Sequence, residues 1–75
     1  MTLKDAIKIA EEIRGSEVSI VKDCGDRWAF GFRADADRLG SAPAFVFKED
    51  GHCEFFFVGD YIDVLQRGIY VELPN

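Results

Sequence analysis

The sequence predicts an α+β domain: an N-terminal helix packed on a four-stranded antiparallel sheet, in the order α-β-β-β-β-α, with an optional short C-terminal edge strand. Three observations predict it. Leu3, Ala6, Ile7, Ala10 and Ile13 recur at the spacing of one helix face. Trp28, Phe30 and Phe32 alternate with Arg27, Ala29, Gly31 and Arg33, the period of a strand. Cys24-Gly25-Asp26 and Glu49-Asp50-Gly51 each separate two extended segments, so neighbouring strands pair as hairpins and not through parallel crossovers. With 75 residues the chain holds one core, and residues 1–75 are read as a single domain.

Each element has a local reason. Thr2 suits a helix N-cap, Asp5 completes a capping box, and Gly15 accepts the positive φ that ends a helix. Lys4, Lys8, Glu11, Glu12 and Arg14 fall on the wet side of that helix. Glu17 to Cys24 reads as a strand, with Val18 and Ile20 set against Ser19, although the alternation fades at Val21. Residues 34–42 form a solvated loop, whose Asp35 and Asp37 lack the further oxygen ligands of a calcium loop. Pro43 belongs at the mouth of the third strand, where a missing N–H does no harm. Phe45 and Phe47 share one face of that strand, and Ala44 and Val46 the other. From His52 to Val58 the chain returns, with Cys53, Phe55 and Phe57 opposite Glu54, Phe56 and Val58. Asp60 is placed to cap a short helix through Ile62, Leu65 and Gln66 to Arg67, which Gly68 ends before the extended run Ile69 to Leu73. The expected core sets the first helix over Trp28, Phe30 and Phe32, joined by Phe45, Phe47, Phe55 and Phe57. Tyr61, Ile62 and Leu65 are expected over the other face, near Phe56 and Val58.

Composition narrows the function classes. Nine basic against fourteen acidic residues give a net charge of −5, which repels phosphate backbones, so no nucleic-acid partner is expected. No apolar run approaches the ~20 residues of a membrane span, and the charged, amphipathic start is not a secretory signal. The expectation is a cytoplasmic protein, or a mature domain whose leader was removed. Cys24 and Cys53 are read as reduced, half-buried thiols, with one disulfide left open for an exporting context. His52 and Cys53 are sequence neighbours whose side chains diverge on a strand, which argues against a Cys–His nucleophile. No metal set, cofactor motif or catalytic constellation is visible, so the chain is read as a non-enzyme without cofactors. What remains is a protein-binding module, monomer or homodimer. The contact candidates are Asp35, Asp37, Glu49 and Asp50, with Phe56 as an aromatic anchor unless the last helix covers it.

The residue order also carries a family likeness. An amphipathic first helix precedes the strand Arg27-Trp28-Ala29-Phe30-Gly31-Phe32, and a loop leads into Ala42-Pro43 and an apolar strand. The Glu49-Asp50-Gly51 turn, a strand closed by Gly59 and an acid-led short helix follow. In this order the chain resembles the immunity protein 35 family of bacterial polymorphic toxin systems. The resemblance implies a protein that neutralises a cognate toxin by occluding its active site. A small chaperone-like or regulatory protein of the bacterial cytoplasm is the alternative that fits the same shape.

Overall fold

Helix α1 (Leu3–Arg14) begins the computed structural model, which describes residues 1–35 and 43–74. Thr2 and Asp5 close the capping box: the Asp5 N–H donates to Thr2 Oγ1 (3.2 Å) and the Thr2 N–H to Asp5 Oδ2 (3.5 Å). Gly15 stops the helix at φ 72°, its N–H on Glu11 O at 2.8 Å. Ala6 and Ala10 are fully buried, flanked by Leu3 and Ile7, whereas Ile13 is more than half exposed. Glu11 is not on the wet side after all. Its Oε2 accepts the Val18 N–H at 2.8 Å and fastens the helix to the first strand.

Five strands follow: β1 (Val18–Asp23), β2 (Arg27–Phe32), β3 (Ala44–Phe47), β4 (Cys53–Phe55) and β5 (Ile69–Val71). They form one antiparallel sheet in the order β4-β3-β2-β1-β5, so the optional edge strand is a true fifth strand. Between β4 and β5 a 3-10 turn (Val58–Tyr61) and helix α2 (Ile62–Arg67) carry the chain from one edge of the sheet to the other. The first hairpin turns as expected, with the Cys24 N–H on Arg27 O at 2.9 Å and Gly25 at φ 92°. In β1 the pairing jumps from Val18↔Phe32 to Ile20↔Gly31, leaving Ser19 as an extra residue. That bulge puts Val18 and Val21 on the same buried face, which is why a strict two-residue period fails at Val21.

Register corrects the expected core. Trp28 pairs with Val46, Ala29 with Phe45 and Phe30 with Ala44, and residues directly opposite in an antiparallel pair share a face. Large therefore meets small across β2 and β3. Trp28, Phe30 and Phe32 pack under α1 with Ala44 and Val46, while Phe45 and Phe47 lie on the other face. Phe55 and Phe57 do not join the first core either: they are 48% and 73% exposed. The second core holds Ala29, Phe45, Phe56 and Leu65, with Cys24, Phe47, Val58, Tyr61 and Val64 around them. Phe45 and Phe56 stack at 3.8 Å and 9°, and Tyr61 meets both edge-on.

Strand β4 is shorter than the expected His52–Val58 run, and Pro43 explains where it stops. Phe56 donates its N–H to Pro43 O (3.1 Å), but proline has no N–H to return, so the ladder ends there. The chain then tightens, with the Asp60 N–H on Phe57 O. Asp60 lies inside this 3-10 turn and does not cap α2, which has no side-chain cap. The far end of α2 is held from the sheet instead: Lys22 Nζ donates to Leu65 O at 2.7 Å, a cation on a C-terminal carbonyl.

Candidate functional site

The two hairpin turns lie at the same end of the sheet and are tied together. The Lys48 N–H donates to Asp26 O (3.0 Å), and Lys48 Nζ reaches Asp23 Oδ1 at 2.8 Å while lying over the Trp28 ring. Arg27 pairs with Asp26 at 2.9 Å and spreads over the rings of Phe45 and Phe47. Glu49 and Asp50 are both exposed at this end. Asp50 has a turn-forming task as well, since its Oδ1 accepts the His52 N–H at 2.9 Å. Gly51, at φ 74°, lets the turn close against the Met1 and Ile9 side chains.

Hydrogen bonds set the acid response of this end. Lys48, then the Gly25 N–H, hold the Asp23 carboxyl below its ordinary 3.8, and Arg27 does the same for Asp26. A carboxyl depressed in the folded state contributes stability above its unfolded value and loses it as pH falls through the folded one. Stability is therefore expected to drop below about pH 4, and Asp23→Asn should flatten that drop, read from urea midpoints across the acid range.

The contact candidates that the structure describes do not make one surface. Glu49 and Asp50 adjoin, but Asp35 ends a 3-10 turn (Arg33–Asp35) at the opposite end of β2, about 20 Å away at ~3.3 Å per residue. Asp37 and the Asp35 side chain lie outside the described residues. Phe56, as an exposed anchor, is overturned: it is 7% exposed, covered by Tyr61 and the Phe45 ring.

The aromatic surface lies one residue to either side. Because the Phe47 N–H donates to His52 O, the alternating ladder spends His52 and Glu54 on β3 and turns the backbone of Cys53 and Phe55 outward. Phe55 and Phe57 thus flank an edge that no other described strand pairs, with exposed Glu49, Asp50, Glu54 and Asp60 around it. His52 Nε2 stands 3.3 Å from Glu54 Oε1. The three-phenylalanine run pointed here, but choosing the uncovered rings required knowing that β4 is an edge strand.

Other chemistry is spread apart. Cys24 packs in the second core and Cys53 in the first, on opposite faces of the sheet, so no disulfide joins them within the folded chain. Burial pushes both thiols up from their ordinary value of 9.0. His52 lies against the Phe47 ring, away from Cys53, as strand alternation requires. Among the described residues no cluster of His, Cys, Asp and Glu could hold a metal ion, and no helix is long and apolar enough to cross a membrane. An open depression of about 640 Å³ lies at the other edge, lined by Asp23, Cys24, Gly25, Arg67, Ile69 and Val71. Compared with known proteins, the chain matches no family model, no curated protein and no solved structure.

Proposed function

We propose that this chain is a small acidic protein-binding domain of the bacterial cytoplasm, and that it serves as an immunity protein, covering the active site of a cognate toxin. The observation that carries the binding reading is the β4 edge, where Phe55 and Phe57 stand exposed among Glu49, Asp50, Glu54 and Asp60. Aromatic anchors inside a polar rim are what protein interfaces concentrate their energy in. A net charge of −5 adds electrostatic steering toward a basic groove. The narrower toxin reading rests on the order of elements and turns that resembles the immunity protein 35 family.

Co-expression with the toxic product of a neighbouring gene tests both parts. Growth rescue by the natural chain is expected. Phe57→Asp should weaken the complex by about 2 kcal/mol or more, since it charges an anchor while leaving both cores intact. Association should also slow as salt rises. No rescue by the natural chain would remove the toxin reading, and rescue unaffected by Phe57→Asp would move the interface off the β4 edge.

A further inference from the structure

Among the described residues β5 pairs with β1 alone, so the opposite edge of the sheet also has an open side, and the first hairpin sets its hydrogen-bonding phase. The Cys24 N–H bonds Arg27, so Lys22 turns its backbone to β2, while Val21 and Asp23 turn theirs to β5. Val21 and Asp23 pair with Val71 and Ile69. The N–H and C=O of Tyr70 therefore point outward, and extending β5 by one residue would turn those of Glu72 the same way. The next positions close this run at both ends: the Gly68 N–H is already on Leu65 O (3.1 Å), and Pro74 has none. Val71 packs against the first core, with Ile69 on the same face of β5 and Leu73 next in phase. Tyr70 lies on the other face, its ring 4.6 Å from Lys22 Nζ. Ile69, Tyr70 and Leu73 are 70%, 69% and 41% exposed.

We propose that β5 is a self-association edge, at which two copies of this chain pair antiparallel about a two-fold axis at Val71 and join their sheets into one. Two-fold symmetry across an antiparallel pair requires one residue to face its own copy. An axis at Glu72 opposes two carboxylates and sets Tyr70 against Pro74, which has no N–H. An axis at Tyr70 sets Glu72 against Gly68, whose N–H is taken. An axis at Val71 sets Tyr70 against Glu72 twice, so every outward N–H and C=O of both residues gains a partner.

Side chains agree with that register. On one face Ile69 meets Leu73 of the second copy, beside the open depression lined by Asp23, Cys24, Gly25, Arg67, Ile69 and Val71. On the other face Glu72 comes alongside the Tyr70 ring that carries the Lys22 ammonium, so the edge is complementary in charge to itself. Each copy's −5 opposes the encounter at long range, so added salt should strengthen this association, the reverse of toxin binding.

Sedimentation across a concentration series tests the proposal on the whole chain. The natural protein should rise from 8.4 kDa toward twice that mass, and more readily at high salt. Tyr70→Pro removes an N–H that the chain's own sheet does not use, and Ile69→Lys charges a side chain that is mostly exposed. Both should stay at 8.4 kDa with unchanged circular dichroism. Val71→Cys, facing itself across a non-hydrogen-bonded pair, should form a disulfide-linked dimer on mild oxidation that the natural chain does not form. A mass fixed at 8.4 kDa up to about 1 mM would overturn the proposal. So would dimers that persist in both variants, or cross-linking through Tyr70→Cys but not Val71→Cys. A chain that stays monomeric yet binds an added extended peptide at β5 would reassign the edge to a foreign strand. Phe57→Asp should leave the mass unchanged, which separates this edge from the one proposed for the toxin.

Discussion

Replacing Phe56 by alanine is expected to remove most of the stability of this domain. The ring is buried and stacked on Phe45 at 3.8 Å, with Tyr61 edge-on to both. Truncation of a buried phenylalanine costs about 3–5 kcal/mol, part of it from the cavity left behind. Domains of this length hold roughly 3–5 kcal/mol in total, so the variant should be close to half unfolded without denaturant. The control lies next to it in sequence. Phe57→Ala, at 73% exposure, should shift the urea midpoint by no more than about 0.5 kcal/mol equivalent. Equal midpoints for the two variants would mean that α2 does not cover this face.

Phe30→Ala is expected to be as severe, and it has a specific remedy. Phe30 is fully buried under α1 and directly opposite Ala44. Its loss should cost about 3–5 kcal/mol, while Ala44→Phe alone should cost about 1–3 kcal/mol by overfilling the same layer. Combining them moves the ring from β2 to β3 on the same face. The double variant should be more stable than the two losses added together, with a coupling of about 1–2 kcal/mol in a double-mutant cycle. Strict additivity would show that Phe30 and Ala44 do not share a layer.

Much of the fold was legible because its signals are local. The capping box at Thr2 and Asp5, Gly15 at the helix end and both hairpin turns each depend on residues within one turn of chain. The face taken by β3 was not legible. Phe45 and Phe47 are interchangeable in pattern with Trp28 and Phe30, and only the pairing of Ala29 with Phe45 sends them to the far side. Small residues in β2 were the available sign: Ala29 and Gly31 leave space that a large neighbour fills. Ser19 hid the phase of β1, because one inserted residue reverses the alternation after it. At the candidate site, three aromatics in a row marked the place but not the member. Phe56 is covered and Phe57 is not, a difference set by Pro43 ending the ladder and by the path of α2.

The pairing of the last strand with the first has a consequence for how this protein is made. Val21 and Val71 are partners, yet they are 50 residues apart in the chain. Strand β1 can close its hairpin with β2 as soon as β2 has been made, but its other side waits for Ile69–Val71. During synthesis that side stays unfilled, and α2 cannot be pinned by Lys22 until Leu65 has emerged. Completion of the sheet thus waits for the last of the five strands to be made, and deletion of Ile69–Val71 would leave β1 as an open edge.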